Sequence, residues 1–335
     1  MTRSRENVQT AEVDRPDSPS PDVPSRLKLA AISASRDAVR SDHRLRRYLS
    51  CFRTEEVLFL QGPPFFGAAF ALHNLSFEIA APMAILTIAN VLLIAHVFLL
   101  NDWSGLTGDL EDPNRAPGVF AARGVGTREV AGISAGLLFA SLALFSYLGS
   151  DILLLALAIA LLSALYSLPG LNWKGRPILN SLAHFTGGIL HFLLGYSLFS
   201  TIDGPGVLIA TFFALTFVAG HLTQEVRDRE GDLRNGIRTN AAVFGSRRTF
   251  QAGMVVFTLA YSVLVGMALG SVLPPSLAAL GLFYFLHFGW WLRTLRRGLS
   301  HANIVRLQRR YRALYAVIGL AMVAAVAVTF TSSGL

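Results

Sequence analysis

Nine residues occur twice in this chain, in an arrangement suited to holding a metal ion and a phosphate. The second copy reads Gln224, Glu225, Val226, Arg227, Asp228, Arg229, Glu230, Gly231, Asp232, and the first reads Asn101, Asp102, Trp103, Ser104, Gly105, Leu106, Thr107, Gly108, Asp109. Both run amide, acid, two variable residues, a middle position, two variable residues, then Gly-Asp. Each is followed by Leu (Leu110, Leu233) and, six residues beyond the last Asp, by Arg (Arg115, Arg238). Residues four apart share a helix face, which sets Gln224, Asp228 and Asp232 on one polar stripe and Asn101, Gly105 and Asp109 on another. Carboxylates gathered at the end of a membrane helix repel one another and lose hydration, and a divalent cation relieves both. Carboxylate and amide oxygens are hard donors suited to Mg2+, which keeps much of its octahedron for water and phosphate. Bridging a diphosphate is the natural use of two such stripes, with Arg115, Lys174 and Arg238 as further charge partners. A single acidic pair of this spacing reads more simply as a solvated helix face; two matched copies, each with its own Arg, favour the metal.

The elements that must position these stripes are membrane spans. The 335 residues are 53% hydrophobic and 15% charged, too apolar for an ordinary soluble domain. A span needs about 20 mostly apolar residues, and nine candidates centre near residues 64, 88, 139, 160, 189, 213, 260, 285 and 323. The expected fold is all-α, a polytopic membrane helical bundle of about nine transmembrane helices. Of the 29 Lys and Arg, 11 lie at or before Arg53, and the rest fall between spans 2 and 3, 4 and 5, 6 and 7, and 8 and 9. The connections near residues 75, 150, 203 and 273 hold none. Positive residues stay on the cytoplasmic side, so the N-terminus and both stripes are expected to be cytoplasmic. In a bacterium this places the protein in the inner membrane.

Residues 1–52 read as a leader ahead of a transmembrane domain over 53–335. Residues 1–25, rich in Ser, Pro, Asp and Arg, show no apolar periodicity and are expected to be disordered. Residues 26–53 alternate basic and apolar residues, which suits either a helix lying on the anionic leaflet or a solvated leader that enforces topology. The net charge of +8 sits in the leader and cytoplasmic loops with no basic folded domain behind it, so nucleic acid is not an expected partner. The lone Cys51 excludes an internal disulfide and a Cys-based metal site. After Glu56 there are 12 acids, and nine of them lie in the two loops that carry the repeats, where a cation would be needed. Gly62, Pro63 and Pro64 predict a kink or early end in span 1. Spans 3 and 4 meet at Gly149, Ser150, Asp151 with almost no loop, whereas the polar connection after the first repeat is about 28 residues long, a length at which loops are usually functional or disordered.

Asp228, Arg229, Glu230, Gly231 and Asp232, followed by Gly236, Thr239 and Gly245, resemble the second aspartate-rich motif of the UbiA superfamily of intramembrane prenyltransferases, of the 4-hydroxybenzoate polyprenyltransferase kind. Asn101 and Asp102 with Asp109 resemble its first motif, and Tyr166, Ser167, Pro169 and Lys174 resemble its Tyr-Ser-x-Pro-Pro…Lys segment. The resemblance covers residues 53–333. It implies Mg2+-dependent transfer of an isoprenyl group from a prenyl diphosphate to an aromatic or lipid-soluble acceptor within the bilayer. One departure stands out: the usual middle Asp of the first motif is Gly105. Asp109, Asp112 or a water would then take its place, or the pocket is shaped for another acceptor, or catalysis is weaker.

On this resemblance Asn101, Asp102, Asp109, Asp228 and Asp232 are the metal-shell candidates, with Gln224 behind them. Asp228, Asp232, Asp109 and Lys174 are the catalytic candidates. Arg115, Lys174 and Arg238 contact the diphosphate, stabilising negative charge where it forms on the leaving group. Tyr166, His184, His191 and His221 border the cavity, either in polar roles such as a general base for the acceptor or as helix-to-helix hydrogen bonds. Phe185, Phe192, Phe212, Phe213, Phe217, Phe283 and Tyr284 either line the isoprenyl tail's path or pack the helices. Two rivals stand beside transfer: a membrane terpene cyclase, which captures the same cation internally, and an anionic-solute transporter. Against the transporter, the carboxylates lie at one face rather than near the midplane.

Overall fold

The computed structural model describes residue 48 and residues 51–72, 76–111 and 116–333, with side chains as far as residue 325. Asp112, Arg115 and nearly all of the 1–52 leader lie outside the described residues. Two short helices come first, α1 (Thr54–Phe59) and α2 (Gly62–Ala71). Proline is tolerated in a first helical turn, where its missing N–H has no partner to lose, and α2 opens with Pro63 and Pro64. The kink expected in span 1 is thus a break between two helices.

After a turn at Phe77–Ile79, α3 (Ala80–Glu111) runs 32 residues unbroken. At 1.5 Å per residue that is about 48 Å, well beyond a hydrocarbon core of about 30 Å, and the whole first repeat is helical. The connection to α4 (Thr127–Leu148) is therefore shorter than the sequence predicts. α3 is described as far as Glu111, and tight turns at Ala116–Gly118 and Phe120–Arg123 precede α4. α4 joins α5 (Ser150–Ser167) through Gly149 at φ +132°, a conformation open to glycine, so the near absence of a loop is as expected.

Next come α6 (Leu179–Tyr196) and α7 (Gly204–Arg234), the latter again long enough to outrun the bilayer. Asp203 caps α7: its Oδ1 accepts from Gly206 N at 2.7 Å and from the Tyr196 hydroxyl at 3.0 Å. The short α8 (Asn240–Phe244), then α9 (Ser246–Leu269), a turn at Pro275–Leu282, α10 (Phe283–Arg297) and α11 (His301–Ser333) complete the chain. Each of the nine expected span centres falls inside a helix. Among the described residues five helices are long and apolar enough to cross a membrane: α3 with the turn before it, α4, α5, α7 and α9.

α6 joins two packed clusters. Phe192 packs with Phe212, Tyr261, Leu264 and Ile318 from α7, α9 and α11, while Leu194 packs with Leu86, Leu93, Phe145 and Ile152 from α3, α4 and α5. Phe192 and Phe212 are wholly buried in this packing. α2 and α6 touch backbone to backbone, as small residues allow between membrane helices: a Cβ on Gly195 would overlap Pro64 O, and one on Gly67 would overlap Phe192 O. Gly195→Ala is expected to destabilise the bundle by about 1–3 kcal/mol through overpacking. Gly132→Ala, where open space surrounds the glycine on α4, should leave the thermal midpoint in detergent unchanged or slightly raised.

Candidate active site

At the end of α3, Asn101 Oδ1 accepts a hydrogen bond from Lys174 Nζ at 3.3 Å. Lys174 sits in the turn Trp173–Gly175 between α5 and α6. Two non-glycine residues with positive φ flank that turn, Asn172 (+39°) and Ile178 (+66°). Such backbone costs on the order of 1–3 kcal/mol and persists where the surroundings enforce it. Here the Ile178 N–H donates to Asn240 Oδ1 at 2.7 Å. Gly105, one turn after Asn101, faces the same space: a Cβ there would stand 3.5 Å from Asp109 Oδ2 and 3.9 Å from Lys174 Nζ. Asp109 is buried. Asp102 is turned elsewhere, to a two-pronged ion pair with Arg53 whose Nε reaches Oδ2 at 3.2 Å.

The acid stripe on α7 has a different register from the expected one. Gln224 is exposed, and its neighbour Glu225 is 3% exposed. Glu225 Oε1 accepts from Asn180 Nδ2 and, at 3.1 Å, from Asn240 Nδ2, while Oε2 accepts from the Ala241 N–H at 3.3 Å. His221 Nε2 stands 3.1 Å from Glu225 Oε1, close enough for attraction, although the ring N–H is not aimed at the oxygen. Asp228 takes a paired contact from Arg227, Nε to Oδ1 at 2.7 Å and Nη2 to Oδ2 at 2.8 Å, and Arg227 Nη1 also reaches Gln308 Oε1 on α11 at 3.2 Å. α7 ends at Gly236, whose φ of +65° is the left-handed close of a helix, with Ile237 N–H returning to Asp232 O at 2.8 Å. That reversal brings Thr239 back, and its hydroxyl donates to Asp232 Oδ2 at 3.1 Å. Arg238 is exposed on the same turn.

The first repeat meets the turn that follows the second, where Gly108 abuts Asn235: a Cβ on Gly108 would lie 3.1 Å from Asn235 Cγ. Beside them, the His184 and His221 rings stack with centroids 3.5 Å apart, Tyr166 meets His184 edge-on at 5.2 Å, and Phe217 meets it at 5.5 Å. Tyr166 lies within range of the Glu225 and Asp232 charges. His191 is not part of this group. Its Nε2 donates to Asn90 Oδ1 at 2.7 Å, Asn90 Nδ2 donates to Gln61 Oε1 at 2.8 Å, and Gln61 Nε2 ends the chain on Val57 O at 2.8 Å. The terminal carbonyl can only accept, which fixes the direction of every bond and makes His191 a helix-to-helix linker.

Glu225, Asn180, Asn240 and Asn235 are the residues that sequence reasoning passed over. The i, i+4 spacing of His221 and Glu225 was a usable signal for the first. Nothing near Asn240 in the sequence marks it. Among the described residues no group of three or more His, Cys, Asp and Glu side chains could hold a metal ion. Mg2+ does not require one, since it is bound through one or two carboxylates together with phosphates and water. The donors at the meeting point are oxygens, and Asn235 Oδ1 is buried beside Gly108 with no hydrogen-bond partner among the described residues, a hard acceptor left unsatisfied. The donor set therefore fits Mg2+.

A UbiA homologue from Archaeoglobus fulgidus bound to DMAPP and Mg2+ has a similar fold, with TM-score 0.64 and 17% identity, covering 83% of this chain and 99% of that one. The same homologue bound to GPP and Mg2+ gives TM-score 0.63 at 18% identity over the same shares. A structure of digeranylgeranylglyceryl phosphate synthase gives TM-score 0.63 at 16% identity, covering 84% of this chain and 98% of that one. In sequence, the chloroplastic 2-acyl-4-prenylphloroglucinol 6-prenyltransferase of Humulus lupulus is 28% identical over 116 residues, which is 32% of this chain and only 28% of that protein. Residues 62–308, from the start of α2 into α11, match the UbiA prenyltransferase family throughout, and the chain belongs to that family.

Proposed function

We propose that this protein binds a prenyl diphosphate with Mg2+ between the ends of α3 and α7 and transfers the isoprenyl group to an aromatic or lipid-soluble acceptor in the bilayer. The observation that carries the reading is the contact of the first repeat, at Gly108, with Asn235 just after the second, with Lys174 reaching Asn101 beside it. Asn101 with Asp109 on α3 and Asp228 with Asp232 on α7 are the candidate ligands, and one or two of these carboxylates would hold each ion while phosphate and water fill the rest of its octahedron, with Asp102 paired to Arg53 beside them. When bound, Mg2+ neutralises charge that builds on the departing diphosphate. Lys174 presents its ammonium to the same oxygens, and Arg238 adds positive charge from the turn after α7; Arg115, six residues beyond Asp109 in sequence, is proposed as a further charge partner. Tyr166, His184 and His221 pack together next to Glu225 and Asp232, and a polar acceptor group would approach the carboxylates past them. The domain runs from 53 to 335 behind a basic leader, with nine spans, a cytoplasmic N-terminus and the site at the cytoplasmic end, supported by the distribution of Lys and Arg.

The test is diphosphate release by purified protein given prenyl diphosphates of several lengths and a panel of acceptors, with and without Mg2+. Release that requires Mg2+ is expected, and the organic product separates transfer from cyclisation. Absence of both binding and release would overturn the proposal. Gly105→Asp places a carboxylate between Asp109 and Lys174. It is expected to lower the Mg2+ concentration for half-maximal release on the order of tenfold, because added ligand charge tightens a divalent site. A Mg2+ dependence unchanged from the parent would show that position 105 does not face the ion.

A further inference from the structure

Eleven Arg and no Asp, Glu or Lys occur in residues 233–335. Four of those arginines line one cleft of about 160 Å3 between the end of α10 and the start of α11: Arg293, Arg297, Arg306 and Arg310, with Trp290 and Asn303. All four are exposed, and among the described residues no carboxylate pairs with any of them. Asn303 Nδ2 donates to Gly298 O at 3.0 Å and so ties the turn that brings the two helices' arginines together. The Arg310 guanidinium lies 5.7 Å from the Trp290 ring centroid, a cation over an aromatic face. Gln308, on the other side of α11, meets Arg227, which puts the cleft at the same end of the bundle as the acidic repeats. Topology alone asks only for positive charge in the connection; it does not ask arginines from two helices to converge around a Trp.

We propose that this cleft binds the phosphate of an anionic phospholipid headgroup from the adjoining leaflet. Arginine's planar fork matches phosphate oxygens, and Trp is the side chain that sits at headgroup level. The volume is close to that of a cavity of about 150 Å3 that accepts benzene, room for one phosphate group. The site is separate from the diphosphate site, whose partners are Lys174 and the acids of α3 and α7.

Full-length protein in detergent would be titrated with phosphatidylglycerol, phosphatidylcholine or inorganic phosphate while its thermal midpoint is followed, and retained lipid would be read by native mass spectrometry. Phosphatidylglycerol should raise the midpoint, and the other two should not. Arg293→Gln/Arg306→Gln should weaken that response about thirtyfold, taking about 1 kcal/mol per arginine at a membrane surface. Arg296→Gln/Arg309→Gln removes equal charge from the same segment outside the cleft and should retain the response. Equal loss in both pairs would mean diffuse attraction and overturn the site. An equal rise with inorganic phosphate would reassign it to a free anion, and no rise in the parent protein would end the proposal.

Discussion

Asp232→Asn is expected to reduce prenyl diphosphate consumption by about 10²–10³-fold, the scale seen when one preorganised electrostatic partner of a developing anion is removed. The substitution isolates charge. Asp232 is 5% exposed and accepts from Thr239, and an Asn oxygen can accept the same hydrogen bond in the same volume. The turn through Gly236 to Thr239 should therefore survive, with a thermal midpoint close to that of the parent. Asp228→Asn should fall by a similar factor, with an added loss because Arg227 would no longer hold a two-pronged carboxylate. Gln224→Ala, one turn earlier but exposed, should leave the rate within about twofold, as surface substitutions generally do. Parental rates for Asp232→Asn at limiting Mg2+ would remove the second repeat from the reaction.

That contrast between Gln224 and Asp232 marks what sequence could and could not reveal. Apolar runs locate helices because burial in lipid leaves the chain no other way to satisfy its backbone, so each expected span centre lies in a helix. The repeat located both acidic helix ends. Its register was another matter: aligning Gln224 with Asn101 put Gln224 on the working face, whereas α7 turns Glu225 inward. The choice of face is made by Asn180 on α6 and Asn240 on α8, 45 and 15 residues away in the chain, and no local spacing encodes such a meeting. The same holds for Arg53 taking Asp102 from 49 residues away and for Lys174 reaching Asn101 across 73. His184 and His191 share a helix face by spacing, yet one stacks on His221 and the other links to Asn90, because a face 18 residues long touches different neighbours along its length.

Glu225→Ala should cost about 3–5 kcal/mol, as removal of one buried charged partner does, and lower the thermal midpoint in detergent by roughly 5 °C or more. The physical cause is the set of donors left behind. Asn180 Nδ2, Asn240 Nδ2 and the Ala241 N–H all point at this carboxylate; Asn240 Nδ2 also donates to Asn180 Oδ1 at 2.8 Å and to Ser181 Oγ at 3.0 Å, so the Ala241 N–H bears most of the loss, and a buried donor without an acceptor costs about 1–3 kcal/mol. Glu225→Gln is the sharper variant. Its amide has one oxygen and one NH2, so whichever way it lies, an NH2 confronts either the Ala241 N–H or the two asparagine amides, and part of the loss remains. The consequence should reach the chemistry through Asn240, whose other end holds the Ile178 N–H in left-handed backbone. Once that hold loosens, Ile178 relaxes, the Lys174 turn loses its fixed position and KM for the prenyl diphosphate rises. Asn240→Ala should reproduce the KM increase with a smaller fall in stability, since Glu225 would keep Asn180 and the Ala241 N–H. If Glu225→Ala melts with the parent protein, the hub does not carry the load its hydrogen bonds imply, and Lys174 is positioned by contacts other than this hub.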